Sequence, residues 1–163
     1  MQSMFSHCDL CRCAAEWRNK MEKFSETFIT VRYAETDMMG IVHHSRYYPW
    51  FEAARTDFIK KFGRSYREME AAGILMPLTE THAHYYAGLT YEDEAVVVCR
   101  LTEMGTAKCK FEYEVYRKSD NKLTTTGYTK HGFVDRNFRP INLKKTAYDM
   151  WAVLDGLVYE AEK

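Results

Sequence analysis

Residues 33–62 read YAETDMMGIVHHSRYYPWFEAARTDFIKKF, and this stretch predicts the central element of the molecule. Its second half carries an apolar stripe with spacings of four, three, four and four: Tyr47, Phe51, Ala54, Phe58 and Phe62. Residues at such spacings share one face of an α-helix. Ser45 is a typical N-cap residue, Pro49 suits a first helical turn and Gly63 suits a helix end. We therefore expect one long helix that begins near residues 44–46.

Strand patterns lie on both sides of this helix. Before it, Ile29, Val31 and Tyr33 alternate with polar residues, which is the period of a half-buried strand. After it, a short helix is predicted over residues 65–72, with Gly73 as its stop. Strand-like segments then follow at residues 75–86, 95–102, 109–115 and 123–134. The residues between the later segments have the composition of hairpin turns, so these strands are predicted to pair antiparallel.

The order of these elements predicts an α+β fold. A last helix is expected over residues 144–159, after the strands. Such an order is typical of a sheet of about five antiparallel strands that wraps around one long central helix. The strands near Val96 and Phe111 carry apolar residues on both faces. We therefore expect a second copy of the chain to cover the outer face, in a homodimer or a homotetramer.

Size and composition exclude several classes of protein. The 163 residues, 46% of them hydrophobic, suffice for one packed domain, which we assign to residues 23–160 behind a disordered leader at residues 1–22. The 23 basic and 23 acidic residues cancel, which argues against a nucleic-acid partner. No apolar run is long enough to cross a membrane, and the first residues lack the apolar centre of a signal peptide. A cytoplasmic protein without a membrane partner is expected.

The cysteines allow two interpretations of the leader. Four possible metal ligands lie within seven residues of each other: His7, Cys8, Cys11 and Cys13. Structural zinc sites usually draw on two separated pairs of ligands, and no second pair follows downstream. We therefore predict no metal site, with a metal-binding leader as the alternative. Cys99 and Cys109 lie within apolar strand patterns and are predicted to be core residues.

The loop between the first strand and the long helix, at residues 33–47, is the candidate functional site. It offers the carboxylate of Asp37, and Gly40 would let the backbone approach a ligand closely. The loop also leads into a helix N-terminus, where unpaired amides can polarise a carbonyl group or hold an oxyanion. The same residues are equally explained by a capping Asp37 and a turn at Gly40. The residue types alone leave both interpretations open.

A family resemblance favours the catalytic interpretation. The loop and the helix follow one spacing pattern: Tyr33-x-x-x-Asp37-x-x-Gly40-x-Val42-x-His44-x-x-Tyr47, continued by Glu52-x-x-Arg55. This pattern resembles the signature of hotdog-fold acyl-CoA thioesterases, and most closely the 4-hydroxybenzoyl-CoA thioesterase and YbgC-like group. The similarity extends over roughly residues 27–151.

The resemblance implies a hotdog fold and the hydrolysis of acyl-CoA thioesters to free acid and CoA, without cofactor or metal. It assigns Asp37 as nucleophile or general base, and it gives the backbone amide of His44 the task of polarising the thioester carbonyl. A hydrogen bond from the His44 imidazole to the substrate or to the carboxylate is the alternative role of this residue. Tyr33 is expected near the acid. Substrate contacts are expected around the loop and, for the phosphates of CoA, on a later strand: Gly40, Ile41, Val42, Tyr47, Lys108 and Lys110.

Two other functions remain open at this point. A hydratase or dehydratase acting on enoyl-CoA on the same fold generally needs a catalytic histidine side chain together with an acid. A non-catalytic module that binds acyl-CoA would use the same fold without the reaction. The sequence leaves the acyl group unidentified, because Met38 and Met39 replace smaller residues of the family pattern.

Overall fold

The computed structural model describes residues 23–62 and 65–160. The predictions for the cysteine cluster of the leader and for Gly63 lie outside these residues. Five strands are present in the described parts: β1 Ser25–Thr30, β2 Leu78–Tyr85, β3 Glu94–Met104, β4 Lys108–Arg117 and β5 Lys122–Gly132. The α-helices there are α1 Tyr47–Lys61, α2 Tyr66–Ala71, α3 Leu143–Thr146 and α4 Tyr148–Gly156. None of these helices combines the length and the apolar character that a membrane crossing needs.

Helix α1 forms where the apolar stripe predicts it. A 3-10 turn at His44–Arg46 leads directly into the helix, so the predicted start is confirmed. The prediction of Ser45 as N-cap is wrong. His43 caps the 3-10 turn instead, because its ring Nδ1 accepts a hydrogen bond from the Ser45 amide at 3.4 Å. Arg46, at the N-cap of α1, makes no side-chain cap.

The five strands form one antiparallel sheet in the order β1-β3-β4-β5-β2, as the hairpin turns predict. Helix α1 packs on the inner face of this sheet. The ring of Phe51 stacks on Tyr113 with centroids 4.4 Å apart, and Phe58 meets Phe111 edge-on at 5.7 Å. A Cβ atom at Gly127 would lie 2.7 Å from the Phe51 ring, so helix and sheet approach most closely where the sheet carries no side chain.

Both ends of the domain differ from the predictions. Strand β1 stops at Thr30, so the alternation that continues to Tyr33 does not form strand. The chain turns there because the Glu35 carboxylate accepts a hydrogen bond from the Arg32 amide at 2.9 Å and starts a 3-10 turn.

The last helix is shorter than expected. Ala147 interrupts it with a non-helical backbone, and Tyr159 pairs with β3 instead, its amide 2.8 Å from the Leu101 carbonyl oxygen.

The outer face of the sheet is charged at its centre, not apolar. Arg100 on β3 pairs with Glu114 on β4 at 2.6 Å, and Lys110 pairs with Glu112 at the same distance. The expectation of an apolar outer face is therefore wrong for this region. Phe111, one of the two residues that prompted it, points inward and is buried. The other, Val96, is half-buried and pairs with the exposed Phe28 of β1, so the outer face is apolar there.

The core contains a chain of hydrogen bonds with a single direction. His131 is buried; its Nδ1–H donates to the Met76 carbonyl at 3.3 Å, so its Nε2 accepts from the Thr129 hydroxyl at 2.9 Å. Thr129 in turn accepts from the Tyr113 hydroxyl at 2.7 Å, and Tyr113 accepts from Arg55 at 3.4 Å. Burial and the nearby Arg55 charge lower the pKa of His131 to about 4. The ring is therefore neutral at physiological pH.

The two cysteines of the sheet are core residues, as predicted. Cys99 and Cys109 are both buried free thiols. Burial raises the pKa of the Cys109 thiol to about 12 and raises that of Cys99 further. Both side chains therefore remain protonated and act as small apolar groups.

Candidate active site

The loop before α1 closes on itself in a tight turn around Asp37. The Asp37 amide donates to the Ile41 carbonyl at 3.0 Å, and the Gly40 amide donates to the Asp37 carbonyl at 2.9 Å. Gly40 has a φ of +77°, a conformation that favours glycine. Gly40 therefore acts as the turn residue that brings Asp37 and Ile41 together.

The Asp37 carboxylate is held by one oxygen and free at the other. Oδ1 accepts a hydrogen bond from the Met39 amide at 2.8 Å, which fixes the side chain relative to its own turn. Within the described residues, Oδ2 accepts no hydrogen bond. Asp37 is partly exposed and borders a cavity. One oxygen is thus available to attack a bound carbonyl or to take a proton from water.

The start of the 3-10 turn before α1 leaves one amide without an acceptor. The amides of His43, Ser45 and Arg46 donate to the Glu35 carbonyl, the His43 ring and the His43 carbonyl, respectively. The amide of His44 donates to no acceptor among residues 23–62 and 65–160. First-turn amides have no partner within their own helix, which makes this N–H a ready donor to a substrate oxygen.

Asp37 and His44 border the same cavity, which has a volume of about 340 Å³. Its lining also includes three other residues that the sequence predicts as substrate contacts: Ile41, Val42 and Tyr47. Met39, a bulky residue that the sequence relates to the acyl pocket, is also part of the lining. The rest was not predicted: Tyr85, Tyr86, Ala87 and Gly88. These four lie at the end of β2 and directly after it, far in sequence from the loop before α1. Only the two tyrosines among them could have pointed to this segment, and no spacing pattern marks it.

Close packing holds the two walls of the cavity together. A Cβ atom at Gly88 would lie 2.6 Å from Ile41 Cγ2, so this glycine is needed for the approach of the two loops. Arg117 donates to the Gly88 carbonyl at 2.8 Å, and the Val42 amide donates to the Leu89 carbonyl at the same distance. Hydrogen bonds to backbone carbonyls therefore hold the two loops that form the cavity walls in place.

Tyr85 contributes both to the wall of the cavity and to the helix start. Its hydroxyl donates to the His44 carbonyl at 3.2 Å, and its ring packs edge-on against Tyr47 with centroids 5.1 Å apart. Burial raises the pKa of Tyr85 to about 12, so the hydroxyl stays protonated as a donor. The His44 ring packs 4.0 Å from the ring of His43.

The structure does not bring every predicted site residue to this cavity. Tyr33 is 77% exposed and packs edge-on against Tyr91, outside the cavity lining. Lys108 and Lys110 line a second cavity of about 430 Å³ near the start of β2. Lys110 is already paired there with Glu112 at 2.6 Å. Within one chain these lysines therefore do not meet Asp37.

The donor set favours acid–base or acyl-transfer chemistry by the protein's own groups. Across the described parts of the chain, no three His, Cys, Asp or Glu side chains converge as metal ligands. The cavity instead combines a carboxylate, an unpaired amide and aromatic walls. Such a combination can orient a carbonyl compound, stabilise its oxyanion and deliver a nucleophile or a base.

Comparisons with known proteins agree with this chemistry. The family model described as the thioesterase-like superfamily matches residues 31–149. YneP of Bacillus subtilis, provisionally named an acyl-CoA thioesterase, is 37% identical over 128 residues, which cover 78% of this chain and 91% of YneP.

Solved structures of relatives share the architecture. The DHNA-CoA thioesterase from Staphylococcus aureus superposes with a TM-score of 0.77 at 34% identity, covering 81% of this chain and 89% of that one. The hypothetical protein AQ1494 from Aquifex aeolicus gives a TM-score of 0.72 at 30% identity, covering 80% and 98%. The sheet wrapped around α1 is the hotdog fold, and the chain belongs to the thioesterase-like superfamily.

Proposed function

We propose that the protein hydrolyses acyl-CoA thioesters to free acid and CoA in the cavity beside α1. One observation carries this proposal: the free carboxylate oxygen of Asp37 and the unpaired amide of His44 belong to the same cavity. The names of the relatives support the reaction class, since YneP is provisionally named an acyl-CoA thioesterase.

The geometry suits a thioester because this group needs little help to react. Its carbonyl is weakly stabilised by resonance, and its thiolate leaves readily. The His44 N–H polarises the carbonyl and holds the oxyanion that forms on attack. Asp37 either attacks the carbonyl carbon itself or takes a proton from the attacking water. In both routes the C–S bond breaks, water supplies the new acid oxygen and CoA leaves as the protonated thiol.

The walls of the cavity favour an aromatic acyl group. Tyr47, Tyr85 and Tyr86 border it, and aromatic rings pack well against one another in offset or edge-on arrangements. A relative from Staphylococcus aureus is named a DHNA-CoA thioesterase, and one from Synechococcus, 20% identical, is named a 1,4-dihydroxy-2-naphthoyl-CoA hydrolase. A hydroxylated bicyclic acyl group is therefore our first choice of substrate.

A homodimer formed through β2 is the assembly that we propose. This strand lies at one edge of the sheet, pairs only with β5 among the described strands, and exposes Leu78 and Tyr85 near its ends. Antiparallel pairing of two β2 edges about a two-fold axis brings the Leu78 end of one strand beside the Tyr85 end of the other. The cavity that contains Lys108 then neighbours the partner's Asp37 cavity, which gives the predicted lysines access to CoA.

A thiol-release assay tests the reaction. It compares short aliphatic, long aliphatic and aromatic acyl-CoAs on the wild type, on Asp37→Asn and on Asp155→Asn, an exposed control on α4. Asparagine at position 37 still accepts from the Met39 amide, so the fold is retained while the reactive carboxylate is lost. We expect Asp37→Asn to lower kcat by about 100-fold or more and Asp155→Asn to match the wild type.

Two results would contradict the proposal. Near-normal turnover by Asp37→Asn would remove Asp37 from the mechanism. Tight acyl-CoA binding by the wild type without any thiol release would identify a binding module instead. Sedimentation of the wild type measures the assembly separately, and a monomer at assay concentration would exclude the proposed dimer.

A further inference from the structure

Glu35 is the only acidic side chain that is buried within residues 23–62 and 65–160. Burying a carboxylate is unfavourable unless hydrogen bonds and opposite charge compensate. Its Oε2 accepts from the Arg32 amide at 2.9 Å, and its Oε1 accepts from Arg32 Nη2 and Trp50 Nε1, each at 3.1 Å. Burial alone would raise the pKa of Glu35, but these hydrogen bonds outweigh it and keep the pKa below its ordinary value.

The backbone of Glu35 reaches the other side of the site. Its carbonyl oxygen accepts from the His43 amide at 2.9 Å, directly before His44. Asp37 follows Glu35 by two positions in the chain. Glu35 therefore bonds to the segment that contains the unpaired His44 amide, and it also lies next to the segment that contains Asp37.

The two donors to the Glu35 side chain differ in their surroundings. Trp50 is buried in the first turn of α1, and its ring packs 4.9 Å from Tyr47, which borders the cavity. The Arg32 side chain is 74% exposed. Arg32 supplies charge as well as a hydrogen bond to the buried carboxylate, but it precedes Glu35 by only three residues and ties it to its own loop. Trp50 lies on α1, and a buried hydrogen bond to a charged group is strong and directional. The bond from Trp50 therefore joins the loop carboxylate to the helix.

We propose that Glu35 is a positioning residue: its hydrogen bond from Trp50 fixes the Asp37 carboxylate relative to the His44 amide. This inference rests on the proposed hydrolysis, because it assigns to Glu35 the alignment of the two groups that act on the thioester. A misalignment of about 1 Å at a reacting centre can cost on the order of 100-fold in rate while leaving substrate binding intact.

Two matched variants separate positioning from general stability. Trp50→Phe removes the buried indole donor and keeps an aromatic ring, whereas Arg32→Ala removes only the exposed donor to the same carboxylate. We expect Trp50→Phe to lower kcat by about tenfold with KM within about twofold of the wild type. Arg32→Ala removes a bond within the loop only, so it should lower kcat less than Trp50→Phe does and leave KM within about twofold. Thermal unfolding of each variant checks that the domain is folded at the assay temperature.

Amide hydrogen exchange at His43 gives a readout that needs no substrate. Its amide bonds to the Glu35 carbonyl, so exchange at this position reports whether the loop stays attached to the helix start. We expect exchange to be about tenfold faster in Trp50→Phe and unchanged in Arg32→Ala.

The outcomes distinguish this inference from the proposed function. Equal kcat values and equal His43 exchange in the two variants would overturn the positioning role. A wild type that releases no thiol from any acyl-CoA would reject the proposed hydrolysis. In that case the exchange comparison still decides whether Trp50 and Glu35 hold the loop.

Discussion

At the scale of single residues, the site depends on a carboxylate and an amide that are fixed in different ways. A hydrogen bond from the Met39 amide anchors one oxygen of Asp37. The amide of His44 is exposed because it is the first residue of the 3-10 turn. The imidazole of His44 packs against the ring of His43 and is not needed to present that amide. The backbone of His44, and not its side chain, is therefore the group to test.

Proline at position 44 can remove this amide with little disturbance. A first helical position tolerates proline, and His43 has φ −63° and ψ 135°, which suits the residue before a proline. We expect His44→Pro to lower kcat by about 100- to 1000-fold relative to His44→Ala, which keeps the N–H. Steady-state thiol release and circular dichroism of both variants measure this. Equal rates in the two variants would assign no role to the amide, and a severe loss in His44→Ala would point to the imidazole.

The residues that sequence could and could not assign to the site differ in a physical way. Asp37, Val42 and His44 lie in one contiguous loop, so their spacing reflects their geometry directly. Tyr85 and Gly88 reach the cavity only because β2 ends beside that loop, and no local pattern encodes this. Tyr33 lies outside the cavity lining, because the chain turns after Arg32 and the tyrosine side chain is exposed.

At the scale of elements, periodicity located the helix and the strands but not their ends. The stripe along α1 is buried as expected, because its spacing matches the helix repeat. Side-chain hydrogen bonds decided the ends, and periodicity does not report these. After β1, the hydrogen bond from the Arg32 amide to the Glu35 carboxylate ends the extended segment. At α2, the Ser65 hydroxyl accepts from the Glu68 amide, and that helix begins close to its predicted position.

The contact between the two loops of the cavity predicts a sensitive glycine. A methyl group at Gly88 would meet Ile41 at 2.6 Å, so the loops must separate to admit it. We expect Gly88→Ala to reduce the free energy of unfolding by about 1–3 kcal/mol and to raise KM. Gly156→Ala is the control, because nothing lies within 4 Å of a Cβ there. Chemical denaturation and kinetics measure both effects, and equal stability of the two variants would disprove the close contact.

At the scale of the whole molecule, the directed hydrogen-bond chain of the core links stability to pH. The pKa of His131 falls from 6.5 to about 4 on folding, because of burial first and the Arg55 charge second. Above pH 6.5 the ring is neutral in both states and contributes no pH dependence. Between pH 6.5 and 4 only the unfolded chain takes up the proton, so the free energy of unfolding falls as the pH falls.

We expect this loss to amount to about 1–3 kcal/mol across that interval. Urea denaturation at several pH values, on the wild type and on His131→Gln, measures it. The variant is less stable throughout but should lack this part of the pH dependence. An identical slope in wild type and His131→Gln would disprove the assignment.

The close approach of α1 and the sheet at Gly127 also bears on the size of ligand that the cavity can bind. Phe51 lies one turn beyond Tyr47, which borders the cavity, and its buried ring stacks on Tyr113 of the sheet. If the proposed substrate binds in this cavity, we expect the Phe51 ring to limit how far its acyl group extends along α1. We therefore expect short or flat acyl groups to be bound in preference to long flexible chains.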